Sequence, residues 1–206
     1  MTTEKKDHWE KVYNTKLPNE VSWTEEKPET SLKFIDSFKL SLSASIIDIG
    51  GGDSNLVDFL VEKGFENITV LDISEQAIER AKKRLGNNAK KIKWIVSDII
   101  DFIPDQTYDV WHDRATFHFL TSNEQVNKYI EIAKSSITGY LVLGTFSDTG
   151  PDKCSGLPVT QYSQEELTTT FTPHFAKLEC VNSVHTTPFN TTQNFTYCSF
   201  KSLNHK

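Results

Sequence analysis

The sequence predicts a doubly wound α/β fold: a mostly parallel seven-stranded sheet with helices on both faces, an antiparallel C-terminal hairpin and an N-terminal helical cap. Three observations predict it. Short apolar runs alternate with stretches of helical period through residues 45–145, the pattern of βαβ units around a parallel sheet. A glycine turn, Gly50-Gly51-Gly52, follows the first of those runs. Two β-rich segments, 175–184 and 194–203, follow one another with no helical pattern between them.

Each element has its own signal. Residues 1–42 form the cap: Asp7-x-x-Glu10 reads as a capping box, and Leu32, Ile35 and Phe38 recur at helical spacing. Between them Pro18 to Pro28 is irregular and holds Trp23. Ser45-Ile46-Ile47-Asp48-Ile49 is the first strand, and Leu56, Val57, Leu60 and Val61 lie on one face of the helix after it, closed by Gly64. Ile68 to Leu71 is the second strand, ending at Asp72; Ser74 then caps a helix carrying Ala77, Ile78, Ala81 and Leu85, with Gly86 beyond it. Ile92–Val96, Tyr108–Trp111 and Tyr140–Leu143 are the third to fifth strands. Ser122-x-x-Gln125 opens a helix with Val126, Tyr129, Ile130 and Ala133 inward, and Ser163-x-x-Glu166 opens another through Leu167 and Phe171. Residues 147–162, with two prolines and two glycines, form a long loop. In the last segment Phe195, Tyr197, Ser199 and Lys201 alternate with Thr196, Cys198, Phe200 and Ser202, as in a strand.

Composition narrows the function. With 22 Lys plus Arg against 28 Asp plus Glu and a net charge of −6, nucleic acid is not the expected partner, because phosphate binding asks for a basic face. A length of 206 residues suits one domain with a core large enough to need no staples, divided as cap (1–42), ligand-binding core (43–146) and substrate loop with closing elements (147–206). No run approaches the ~18 apolar residues of a membrane span. The N-terminal residues lack the apolar stretch of a secretory signal. Cys154, Cys180 and Cys198 are odd in number and widely spaced, which reads as reduced thiols in a cytoplasmic protein. No ligand spacing joins them to His185, so no metal site is expected.

The chemistry concentrates at Asp48-Ile49-Gly50-Gly51-Gly52-Asp53-Ser54. Glycines let a ligand approach the backbone, and the helix start offers free N–H groups. Asp72 lies 20 positions beyond Gly52, where an acid at the end of the second strand reaches ribose hydroxyls. A nicotinamide site would have Gly or Ala where Asn55 stands, and Asp48 would repel a pyrophosphate while suiting an α-ammonium. Asp98-Ile99, after the third strand, has the makings of an adenine site, an acid for the amino group and an aliphatic for the ring; the alternative for Asp98 is a turn cap.

Taken together, Asp48-x-Gly50-x-Gly52, Asp72 and Asp98-Ile99 resemble the class I S-adenosylmethionine-dependent methyltransferases over roughly residues 45–145. The resemblance implies a Rossmann-like fold and S-adenosyl-L-methionine as cofactor, with S-adenosyl-L-homocysteine as product. It implies that Asp48, Gly50 and Gly52 surround the methionine moiety, that Asp72 takes the ribose and Asp98 the adenine, and that Ile73, Ile99 and Trp23 are further cofactor contacts. Ser54 departs from the pattern, many members having a third glycine there. His8 to Tyr13 and Val21-Ser22-Trp23 are similar to segments that fold as a lid over the cofactor in some members. Trp23 either closes such a lid or packs in the core.

The methyl acceptor is expected after the fourth strand, at the carboxyl ends of the sheet, where His112-Asp113-Arg114-Ala115-Thr116-Phe117-His118-Phe119 stands. Arg114 either grips an acidic acceptor group or pairs with Asp113. His112 and His118 are the candidate general bases, each with packing as its alternative. An Asp-Arg pair followed by small residues is similar both to thiopurine-type small-molecule enzymes and to elongation-factor lysine methyltransferases. A small-molecule acceptor is favoured, because cap and loop suffice to cover the site; a protein lysine and a non-catalytic nucleotide-binding domain are the alternatives.

Overall fold

The computed structural model describes residues 2–203. Two N-terminal helices, α1 (Thr2–Thr15) and α2 (Glu29–Ser37), precede β1 (Ser45–Ile49), α3 (Leu56–Glu62), β2 (Asn67–Asp72), α4 (Glu75–Leu85), β3 (Ile92–Val96) and β4 (Tyr108–Arg114). Then follow α5 (Asn123–Ser136), β5 (Ile137–Phe146), a two-residue pair β6 (Lys153–Cys154) and β7 (Leu157–Pro158), α6 (Gln164–Phe171), β8 (Phe175–Thr186) and β9 (Thr192–Ser202). The main sheet has seven strands in the order β3-β2-β1-β4-β5-β9-β8. β1 to β5 run parallel, whereas β9 is antiparallel to both β5 and β8.

Local chemistry sets the boundaries. Ser74, Ser122 and Ser163 each accept a hydrogen bond from the backbone N–H three residues on, at 3.2, 3.3 and 3.2 Å, and the last two sit in complete capping boxes. Gly64 follows α3 at φ +89°, and Phe65 N–H reaches back to the Leu60 carbonyl at 3.1 Å, which satisfies a carbonyl the helix end would otherwise leave open. The sheet is covered on both sides. Leu32 and Ile35 of α2 and Leu56, Val57 and Leu60 of α3 pack on Ile46, Ile68 and Val70. Tyr129 and Ala133 of α5 and Leu167 and Phe171 of α6 pack on Ile47, Trp111 and Leu141. Leu56, Val57 and Leu60 are fully buried, worth about 2 kcal/mol each.

Four expectations change. The fourth strand runs on to Arg114, so His112, Asp113 and Arg114 belong to a strand, not to the turn after it. The helix α1 begins before Asp7, so Asp7-x-x-Glu10 is no capping box; Glu10 instead serves another helix, as shown below. Residues 147–162 are not wholly irregular, because β6 and β7 pair within them. Finally, Cys180 and Cys198 are not reduced thiols: the β8–β9 register sets them opposite one another, Cα atoms 4.1 Å apart, and they form a disulfide. A sequence separation of 18 says nothing of that register, which only the hairpin decides. Among the described residues no helix is long and apolar enough to cross a membrane, and no group of His, Cys, Asp or Glu is arranged to hold a metal.

Candidate active site

β2 and β4 lie on opposite sides of β1, so the strand order reverses at β1, and in open α/β sheets ligands bind beyond the carboxyl ends of such strands. A cleft opens there. Its floor is the glycine turn. Gly50 has φ +67°, and a Cβ on it would run into the Thr116 hydroxyl. A Cβ on Gly52 would lie 2.6 Å from both the Ala77 methyl and an Asp72 oxygen. The backbone is thus held against its neighbours by residues that tolerate no side chain on it.

The acids predicted from spacing converge on this turn. Asp72 Oδ2 accepts the Gly52 N–H at 2.9 Å and Oδ1 the Ser74 N–H at 2.8 Å. Full burial outweighs those two bonds and raises the Asp72 carboxyl to about 6. Asp48 gives Oδ1 to His112 Nδ1 at 2.7 Å, while its Oδ2 is buried without a partner. Asp98 Oδ1 accepts the Ile100 N–H at 3.2 Å, so it does cap a turn, and it also lines the cleft. Trp23, Asp48, Gly50, Asp72, Ile73, Asp98 and Ile99 all line the cleft. Gly52 is not among its walls and acts through its N–H on Asp72.

The N-terminal segment roofs this floor. Glu10 accepts from Ser74 Oγ (2.9 Å), Glu75 N–H (2.8 Å) and Gln76 N–H (3.1 Å), placing a carboxylate on the positive end of α4 and pinning α1 there. Asn55 Nδ2 donates to the Glu25 carbonyl at 2.8 Å, tying the glycine turn to the segment that holds Trp23. Trp9 stands edge-on to Trp23 at 5.5 Å and to Phe119 at 5.3 Å between ring centres, and all three line the cleft.

Along β4 the side chains alternate between faces. Asp113 and Arg114 therefore part company, and the expected pair between them does not form. Asp113 takes the N–H groups of Thr116 (3.0 Å) and Phe117 (3.1 Å) and the Tyr129 hydroxyl (2.8 Å). Its burial raises its carboxyl to about 6. Arg114 points the other way: Nε donates to the Tyr197 hydroxyl at 3.0 Å and Nη1 to the Trp23 carbonyl at 2.9 Å, with Glu25 3.3 Å from Nε. Ala115 follows at φ +65°, a left-handed turn that a non-glycine residue adopts at a cost.

The histidines separate likewise. His112 lines the cleft, but both its nitrogens are engaged, Nδ1 by Asp48 and Nε2 by Ser31 Oγ at 2.8 Å. His118 lies outside the cleft walls, fully buried, with Nδ1 accepting the Phe146 N–H at 3.2 Å. Desolvation, helped by Arg114, lowers it to about 3. Such a group is no base near neutral pH, so packing wins over catalysis for His118. Cys154 borders the cleft with its thiol raised by burial to about 12, and His185, not itself in the cleft walls, is hydrogen-bonded to the Ser22 carbonyl at 2.7 Å and stands 3.6 Å from the Glu25 carboxylate that lines the cleft.

Sequence reasoning missed Glu25 and Tyr197, since neither carries a motif, and Ser31, which reads as an unremarked helix residue. Trp9 was legible as part of the aromatic N-terminal segment.

The cleft carries Glu25, Asp48, Asp53, Asp72 and Asp98 against Lys5 and Arg114. An acidic, aromatic-walled cleft over a glycine turn, with one buried carboxylate oxygen left without a partner, fits a ligand that is both nucleoside and cation. Residues 46–136 match the family model described as a methyltransferase domain. Over that stretch, which is under half of the chain, the sequence is similar to methyltransferases.

Among curated proteins it is similar to the human EEF1A lysine methyltransferase 2, 27% identical over 190 residues, which covers 84% of this chain and 75% of that protein. It is also similar to a malonyl-[acyl-carrier protein] O-methyltransferase of Anoxybacillus flavithermus, 33% identical over 106 residues, half of this chain and 39% of that protein. The fold is that of NodS, an N-methyltransferase from Bradyrhizobium japonicum WM9 solved with S-adenosyl-L-homocysteine: TM-score 0.68 at 19% identity, over 96% of this chain and all of that one. A structure reported for conversion of a disulfide bond into a thioacetal group during echinomycin biosynthesis is likewise similar, with TM-score 0.76 at 15% identity, over 98% of this chain and 94% of that one.

Proposed function

We propose that this methyltransferase acts on a small-molecule nucleophile, held beneath the roof formed by Trp9 and Trp23. The observation that carries this reading is the enclosure of the cleft beyond β4: Arg114 is only 13% exposed there, and Glu25 only 21%. A buried pocket with aromatic walls and a few polar groups suits a small ligand.

For the cofactor, Asp72 would hold the ribose hydroxyls, Asp98 with Ile99 and Ile73 the adenine, and the open oxygen of Asp48 the α-ammonium. When bound, the cofactor supplies an electrophilic methyl group on its sulfonium. The protein's share is then mainly orientation. Gly50 and Gly51 let the backbone approach, His112 fixes the Asp48 carboxylate, and the tryptophans exclude water. Among the described residues, the histidine that lines the cleft, His112, has both nitrogens engaged, so the reading favours a nucleophile that needs no histidine base, such as a thiolate or a neutral amine.

The second reading is a protein lysine acceptor, favoured by the likeness to EEF1A lysine methyltransferase 2 over 84% of the chain. Methyl-labelled cofactor tests both. Incubation with thiols, amines and carboxylic acids, and separately with purified elongation factor 1A, is expected to label a small molecule. Label appearing only on lysines of the protein overturns the first reading.

A further inference from the structure

Among the described residues, two buried atoms of the cleft lack partners, and they flank a cluster of buried side chains. Asp48 Oδ2 is one and Arg114 Nη2 the other. Between them, Arg114 Nε donates to Tyr197 at 3.0 Å, and the Tyr197 hydroxyl in turn interacts with Ser31. Ser31 Oγ lies 2.8 Å from His112 Nε2, and His112 Nδ1 lies 2.7 Å from Asp48 Oδ1. A carboxylate only accepts, so the Nδ1 proton faces Asp48. Ser31, Asp48, His112 and Tyr197 are each at most 2% exposed, and close packing of such buried side chains holds them in place.

Arg114 is therefore built in place rather than draped over a surface. Its Nε and Nη1 are spoken for, and the Phe195 ring lies 4.8 Å from its guanidinium carbon. Nη2, with two N–H donors, is left over, and an unmet buried donor costs stability until something accepts from it.

We propose that this Nη2 edge is the recognition point for an oxyanion, a carboxylate above all, on the methyl acceptor. The proposal rests on the small-acceptor reading. Sheet order places it: Asp98 comes just after β3, Asp72 ends β2 and Asp48 lies in β1, whereas Arg114 ends β4 on the other side of β1, against Trp23, Phe195 and Tyr197. The cofactor's nucleoside occupies the first side, and the acceptor's anionic group meets the arginine on the second. Tyr197 and Ser31 are positioning residues for it.

Benzoate, benzamide and benzylamine are the probes, titrated by tryptophan fluorescence into protein saturated with S-adenosyl-L-homocysteine. Benzoate is expected to bind at least about tenfold more tightly than benzamide, the worth of one charge-assisted contact. Arg114→Met is expected to bring the two within about twofold. Tyr197→Phe, which removes a single oxygen and leaves no cavity, is expected to cut the preference about threefold while retaining S-adenosyl-L-homocysteine binding. It keeps the test open if Arg114→Met does not fold. Equal binding of benzoate and benzamide, or a preference for benzylamine, overturns the proposal. A second arm compares S-adenosyl-L-homocysteine with 5′-methylthioadenosine, which lacks the amino-acid end. If Arg114→Met or Tyr197→Phe weakens only the former, the arginine serves the cofactor's own carboxylate and the proposal falls. Lysine labelling of a protein in the transfer assay instead defeats the small-acceptor reading, whatever the probes do.

Discussion

As the proposed ribose ligand, Asp72 is expected to make cofactor affinity depend on pH by an amount worked from its burial. Burial raises its carboxyl from 3.8 to about 6, a difference worth about 3 kcal/mol in favour of the protonated form. Ribose hydroxyls donate to the ionised carboxylate, so binding has to draw Asp72 into that form. Affinity for S-adenosyl-L-homocysteine then weakens by the factor 1 + 10^(6−pH), negligible at pH 7 and about elevenfold at pH 5. The ligand's own carboxyl and amino groups titrate outside most of that window. Isothermal calorimetry from pH 5 to pH 7 measures the affinity directly. Repeating the pH 5 titration in buffers of different ionisation enthalpy is expected to count about 0.9 proton released per ligand bound. Asp72→Asn should bind more weakly with a flat profile. An affinity that stays within twofold across the range in the unaltered protein refutes the ribose assignment or the raised carboxyl. The linkage has a stability counterpart. A carboxyl raised in the folded state costs the unliganded protein stability at neutral pH. That cost disappears as pH falls through 6 toward 3.8, so chemical denaturation should show ligand-free stability rising from pH 7 to pH 5 before other carboxylates reverse it.

Tyr129→Phe strands Trp111 Nε1 and Asp113 Oδ2, which meet at its hydroxyl at 2.9 and 2.8 Å; a loss of about 2–4 kcal/mol is expected, read as a fall of several degrees in melting temperature. Ala115→Gly relieves the left-handed turn at φ +65° and, after the entropy glycine adds to the unfolded chain, should leave stability within about 1 kcal/mol, whereas Ala115→Val should cost more than about 1 kcal/mol. Urea denaturation of the pair separates the two, and equal losses would dismiss the strain. Glu10→Ala removes a carboxylate that takes three donors at the start of α4; a cost of about 1–2 kcal/mol is expected, with faster hydrogen exchange in α1 but not in α5.

Legibility followed range. The serine caps at 74, 122 and 163, the glycines after α3 and α4, and the strand-end acids are all local or set by one βαβ unit, and each appeared where spacing put it. Failures began where two distant segments met. Asp113 and Arg114 looked like neighbours able to pair, yet the strand extended through them and sent them to opposite faces. Glu10 resembled the end of a capping box but caps a helix 64 residues away.

The order of strands and helices, the glycine turn and the strand-end acids were readable from the sequence, because periodicity, capping and a fixed βα spacing are properties of contiguous chain. Only the tertiary structure decided what lies beyond β4. Strand register joined Cys180 to Cys198, burial removed His118 from acid–base chemistry, and four separate elements brought Ser31, Asp48, His112, Arg114 and Tyr197 into one buried line. Hydrogen bonds and desolvation act through space rather than along the chain, and no spacing in the sequence encodes them.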